Sequence, residues 1–84
     1  MGQLTLEAIQ NDLMKFLRES ILSEQVQLDP TTRLNSLGID SFSLIQILLF
    51  IERHFQVKLP DSALTQENLM SVAAIALCVY KMLY

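Results

Sequence analysis

Between Gly38 and Phe55 the chain places one turn-forming residue at the front, and no further Gly or Pro follows. That stretch constrains the fold more than any other. Gly38 tolerates φ > 0, so the backbone can bend sharply out of the segment before it. Asp40 and Ser41 are both good cap or first-turn residues, and the apolar-rich run behind them predicts a helix from Ser41 to about Phe55. The Ser41 hydroxyl then sits at the positive end of a helix, beside backbone N–H groups that have no intrahelical partner. A phosphate ester would be electrostatically favoured there.

At 100° per residue, Ile47, Leu48, Phe50, Ile51 and Phe55 gather on one side of this helix and are expected to face the core. Phe42, Ile45 and Leu49 form a second apolar stripe almost opposite. A helix apolar on both sides is either buried twice or offers one side to something else. In so small a domain the second arrangement is expected, the alternative being the long preceding connection folding over the stripe.

The remaining segments are helical too. From Thr5 to about Ile21, the residues Leu6, Ile9, Leu13, Phe16 and Leu17 share one stripe, with Glu7, Asn11, Lys15 and Arg18 opposite. Thr5 can cap this helix, and Leu4 and Ile9 are placed for a hydrophobic staple. A long connection from about Ser23 to Asp40 follows, with Val26, Leu28, Leu34, Leu37 and Ile39 as apolar anchors and Asp29-Pro30-Thr31-Thr32 as a turn. Pro60-Asp61 predicts a short third helix over about Asp61 to Gln66, capped by Asp61. A last helix runs from near Ser71 to about Leu83, its buried stripe formed by Val72, Ile75, Val79 and Met82.

Composition narrows the class. The 84 residues are 51% hydrophobic and 18% charged, with two Gly and two Pro, and period-2 β-branched clusters are absent. Such a chain folds as one all-α domain over 1–84, three main helices and one short one packed as a bundle. A net charge of −3 argues against nucleic acid as a partner. The single Cys78 excludes an internal disulfide framework and suits a reducing interior, and the apolar run from Leu69 to Tyr80 is too short to span a bilayer. The expected setting is cytoplasmic, and the expected state monomeric. One His and two Gly cannot assemble a Ser-His-Asp triad, a metal cluster or a Gly-rich phosphate loop, so no catalytic activity is expected.

Leu37-Gly38-Ile39-Asp40-Ser41 resembles the attachment site of acyl carrier proteins, and the likeness extends over nearly the whole chain. It takes in the amphipathic first helix, the long first loop with Leu34 before Leu37-Gly38, Asp40-Ser41-Phe42, then Glu52 and Phe55, and Leu59-Pro60-Asp61. The resemblance implies a four-helix acyl-carrier-like bundle and a non-enzymatic carrier of acyl thioesters in fatty-acid, polyketide or related lipid synthesis. Its 4′-phosphopantetheine arm would be esterified to Ser41 by a phosphopantetheinyl transferase, with Asp40 beside the Mg²⁺ that the transfer needs. An acyl-ligase, a ketosynthase or other pathway enzymes would then use the arm. Leu44, Leu48, Leu59, Leu64 and Leu69 are implied to line the space between the second and third helices that shelters the acyl chain. An unmodified interaction module and the peptidyl carrier of a peptide synthetase are the competing readings.

The departures from the family pattern concern the second helix. Carrier proteins usually present acids there; this chain keeps Asp40 and Glu52 but has Ser43, Gln46, Arg53 and His54 where acids are common. Phe42 replaces the usual Leu. Docking by hydrophobic fit to dedicated enzymes is therefore expected, with Phe42, Ile45, Leu49, Gln46, Glu52 and Arg53 as the contact residues. The remaining residues have plain structural readings. Ser41 alone could be an N-cap, His54 a charge at a helix C-terminus, Cys78 a small buried hydrophobe, and Met14, Met70 and Met82 core fillers.

Overall fold

The computed structural model describes residues 5–21 and 27–84. Three α-helices make the scaffold: α1 (Leu6–Ser20), α2 (Ser41–Phe55) and α3 (Val72–Leu83). Among the described residues there is no strand, only an isolated antiparallel bridge between Arg33 and Ser71. Each helix begins on a residue whose side chain accepts a first-turn N–H. Thr5 accepts from Ala8, Asp40 from Ser43, and Ser71 from Ala74. These caps satisfy donors that the helical ladder leaves over. The staple partner Leu4 and the anchor Val26 lie outside the described residues.

The core follows the periodicity. Ile9, Leu13 and Leu17 of α1, Ile47, Ile51 and Phe55 of α2, and Val72, Ile75, Ala76 and Val79 of α3 are buried together. Packing of α1 is chiefly along α3, whose small Ala76 permits close approach. Leu48 and Phe50 pack at the core's edge and are only partly buried, because their positions lie at the two flanks of the buried face. Phe50 instead stacks flat between Phe16 (centroids 4.3 Å apart) and His54 (4.9 Å), closing the α1–α2 seam with aromatic faces.

The described part of the long connection is pinned to the helices. Asp29 Oδ1 accepts from the Thr31 N–H and hydroxyl, and Thr32 N–H closes the expected turn on the Asp29 carbonyl. Leu28 is buried, and its carbonyl accepts from the Arg18 guanidinium at 3.4 Å. Ala73 N–H donates to the Pro30 carbonyl and Leu34 N–H to the Met70 carbonyl, each at 2.8 Å. Leu34–Leu37 forms a 3₁₀ turn with Leu34 buried and Leu37 half-buried.

Three expectations need correction. The third helix shrinks to a single 3₁₀ turn, Asp61–Ala63, which Pro60 precedes and Asp61 does not cap with its side chain. Residues 64–70 continue as turns because polar side chains intercept the backbone. Thr65 Oγ1 accepts from Asn68 N–H at 3.1 Å, and Asn68 Nδ2 donates to the Ala63 carbonyl at 2.9 Å. Met82 stands out of the core at 46% exposure and Met70 at 38%, so of the three methionines only Met14 packs against it. Ala76 is buried beside Ile75 on the inner face of α3. Cys78 is half-buried, not buried.

Candidate functional site

The site is built from the turn before α2 and the first turn of that helix. Gly38 ends the 3₁₀ turn at φ 78°, ψ 16°, in the left-handed region, and its N–H donates to the Asn35 carbonyl at 3.3 Å. That reversal drives Ile39 into the core, where it is 6% exposed, and swings Asp40 and Ser41 outward. Asp40 is the N-cap of α2. Its Oδ1 accepts from Ser43 N–H at 2.9 Å, and this bond, with the Ser43 hydroxyl adding to it, holds the carboxyl below its ordinary value. Asp40 therefore stays ionised and exposed, available as a hard oxygen ligand.

Ser41 is the first helical residue and is exposed. With Ser43 N–H taken by the cap and Leu44 N–H by the Asp40 carbonyl, the Ser41 and Phe42 N–H groups stay outside the ladder. A phosphodiester on the Ser41 oxygen would meet the positive end of the helix dipole, while the Phe42 N–H also faces the Asp40 carboxylate. Ser41 is exposed at the helix N-terminus, directly behind the ionised Asp40, so the residues present fit an esterified phosphate group.

The five leucines expected to line one acyl space do not share one. Leu44, Leu64 and Leu69 line an open depression of about 670 Å³ together with the apolar Leu34, Ile39 and Met70 and the polar Arg33, Asn35, Thr65, Gln66 and Glu67. Leu48 and Leu59 line a separate depression of about 160 Å³, shared with Ile45, Leu49 and again Leu64. The division follows from the missing third helix. The Asp61–Ala63 turn ends at Leu64, which becomes the wall between the two spaces, and Leu59 is itself drawn into the core at 7% exposure. The polar part of this lining was not legible in the sequence, because its residues belong to two segments brought together by long-range contacts such as the Leu34–Met70 hydrogen bond and the Arg33–Ser71 bridge.

The second apolar stripe is uncovered. Phe42 is 67% exposed, Ile45 55% and Leu49 46%. The described part of the loop, residues 27–40, does not fold over them. Gln46, Glu52 and Arg53 are exposed alongside. His54 does more than face the helix dipole: its Nε2 lies 3.1 Å from Asp12 Oδ2 on α1, a pairing across 42 positions that carries no sequence signal. Burial raises the Cys78 thiol above its ordinary value, with Lys81 opposing the shift, so this thiol is a poor nucleophile. Among the described residues, no three His, Cys, Asp or Glu side chains are grouped to hold a metal, and no helix is long and apolar enough to cross a membrane.

Comparison with known proteins agrees with this geometry. The sequence model of the phosphopantetheine attachment site family matches residues 11–79, which take in the whole of α2, the larger part of α1 and of α3, and the Gly38–Ser41 turn. The chain belongs to that family of phosphopantetheine-binding carrier domains, and the prosthetic group it takes is covalent phosphopantetheine. It is similar to aminoacyl carrier protein 2 of Bradyrhizobium diazoefficiens, with 29% identity over 69 residues, or 80% of this chain and 78% of the relative. Its fold is similar to a chain in the crystal structure of Bradyrhizobium japonicum glycine:[carrier protein] ligase complexed with glycylated carrier protein. There the TM-score is 0.70 at 23% identity, covering 87% of this chain and 96% of the other. The expected acyl-carrier-like fold is thus observed, with the third helix reduced to a turn.

Proposed function

We propose that the phosphopantetheine arm is esterified to Ser41 and that the chain shuttles acyl groups as thioesters on the arm's terminal thiol. The observation that carries this reading is Ser41 itself: an exposed hydroxyl in the first turn of α2, directly behind an ionised Asp40 and inside the matched segment. A phosphopantetheinyl transferase would install the arm from coenzyme A. The Ser41 hydroxyl gives its proton to a base of the transferase as its oxygen bonds to the β-phosphorus of coenzyme A, the pyrophosphate bond breaks, and the 3′,5′-adenosine bisphosphate leaves. Asp40 would ligate the Mg²⁺ that screens the phosphates during that step. The chain supplies no catalytic group and acts as a monomeric substrate of other enzymes. An acyl-ligase loads it, and a ketosynthase or other enzyme of fatty-acid, polyketide or related lipid synthesis draws from it.

The 670 Å³ depression supports an acyl cargo, since its lining includes Leu44, one turn beyond Ser41, and the apolar Leu34, Ile39, Leu64, Leu69 and Met70. A second reading, an amino acid as the cargo, is favoured by the similarity to an aminoacyl carrier protein and by the polar rim of Arg33, Asn35, Gln66 and Glu67. The two are separated by loading. The protein is first converted with coenzyme A, Mg²⁺ and a broad transferase, then offered fatty-acyl or aminoacyl donors with ligases of each kind, and intact mass is read. Transfer of fatty acids alone supports the lipid reading; transfer of amino acids alone replaces it with the second. If no arm is gained, the carrier reading fails.

A further inference from the structure

Residues 60–69 run along the 670 Å³ depression as a strap whose hydrogen bonds are all its own. Ala63 N–H donates to the Pro60 carbonyl, Leu64 N–H to that of Asp61 and Leu69 N–H to that of Thr65. Asn68 adds two more, its N–H to Thr65 Oγ1 and its Nδ2 to the Ala63 carbonyl. Among the described residues, no hydrogen bond or ion pair ties this segment to the rest of the molecule. It is anchored at its ends instead, by the buried Leu59 before it and by the Leu34–Met70 hydrogen bond and the buried Ser71 after it. Between these anchors Leu64 stands 36% exposed, outside the core. The depression is lined chiefly by this strap and by residues 33–39, and the two carry opposite charge, Glu67 on the strap and Arg33 on the other segment. Both side chains are exposed, and among the described residues neither is in an ion pair.

We infer that the strap closes over an apolar group carried on the Ser41 arm, with Glu67 meeting Arg33 across the mouth of the depression. The inference rests on the reading of Ser41 as the attachment residue and of the depression as the seat of its cargo. Because the strap's hydrogen bonds travel with it, swinging it inward on its two anchors breaks none of them. In the empty carrier, closure strips water from Thr65, Gln66 and Glu67 and gives Leu64 nothing to pack against. An alkyl chain in the depression changes that balance, since Leu64 packs on it only when the strap is closed. This difference between the two states is what lets the cargo shift the equilibrium. An exposed ion pair adds severalfold at most, so the apolar contact drives closure and the Arg33–Glu67 pair sets where the strap stops. The two Asn68 bonds keep the strap in one piece as it moves.

The test uses the full chain carrying a bare, an acetyl or an octanoyl arm, each installed by a broad phosphopantetheinyl transferase with Mg²⁺ and the matching coenzyme A. Hydrogen exchange of the Leu64, Asn68 and Leu69 amides is read by NMR, together with nuclear Overhauser contacts of the octanoyl chain. The octanoyl arm is expected to slow these amides about tenfold relative to the bare arm, and the acetyl arm less than about twofold. The octanoyl chain is expected to contact Leu64 and Met70. Glu67→Lys and Arg33→Glu should each reduce the octanoyl effect severalfold, and the two together should restore it. Both side chains are exposed, and an unchanged circular dichroism melt will show that the variants fold. Equal strap exchange with the bare and octanoyl arms overturns the inference. So do contacts of the chain with Leu48 and Leu59 in place of Leu64 and Met70, or undiminished protection in both single variants. If the wild type gains no arm at all, the reading of Ser41 itself falls, a result distinct from an octanoyl form whose strap exchanges freely.

Discussion

Replacing Gly38 by Ala isolates the backbone reversal that presents Ser41. Gly38 lies at φ 78°, ψ 16°, and a Cβ added there would meet no atom within 4 Å. Crowding therefore contributes nothing, and the cost is the left-handed conformation alone, roughly 1–2 kcal/mol for an L-residue. The unfolded chain works in the other direction, because losing glycine's freedom stabilises the folded state by about 0.4–1 kcal/mol. The expected net loss is about 1 kcal/mol, or roughly 4–8 °C in melting temperature for a chain of this size. Asn, which tolerates the left-handed region better, should lose less. Urea unfolding of the three proteins measures this through the midpoint at constant slope. If Gly38→Ala is as stable as the parent with an unchanged slope, the residue is not left-handed in solution. The account of how Ile39 turns inward and Ser41 outward would then be wrong.

The opposite change is expected to help at the other end of α2. Gln56 sits at φ 58°, ψ 38°, so Gln56→Gly should gain about 0.5–1 kcal/mol in the same urea assay. Ser71→Ala removes the cap of α3 at a buried position and should cost about 1 kcal/mol, read as an earlier thermal midpoint. Acid should loosen the start of α2. The Asp40 carboxyl is held below its ordinary value of 3.8, so its contribution is complete above that pH and lost as pH falls through the lower folded value. Exchange of the Ser43 amide, followed by NMR, should accelerate below about pH 4 once intrinsic rates are divided out, and Asp40→Asn should remove that pH dependence.

Much of this was legible because it is local. The stripe of α1, its Thr5 cap and the Gly38 turn each depend on residues within a few positions of one another, and there the spacing decides. The exposed stripe was legible for a related reason: a helix apolar on two sides in a small domain has only one core to face. Long-range partners were not. The pairing of Asp12 with His54 and the stacking of Phe16 on Phe50 depend on how α1 crosses α2, which no spacing encodes. The third helix failed because Pro60-Asp61 signals a helix start, while Thr65 and Asn68 capture the backbone a few residues later. That competition is decided by side-chain bonds which the sequence permits but does not compel. The placing of the five leucines follows from the same turn, since Leu64 at its end borders both the depression of Leu44 and Leu69 and that of Leu48 and Leu59.

The arm on Ser41 is the central claim, and locating the adduct tests it most directly. After treatment with coenzyme A, Mg²⁺ and a broad transferase, tandem mass spectrometry of the digested protein should place a single phosphopantetheine on Ser41. The adduct should vanish in Ser41→Ala and persist in Ser43→Ala, whose hydroxyl lies in the same helical turn. An adduct that survives Ser41→Ala, or that maps to Ser36, Ser43 or Ser62, would contradict the account.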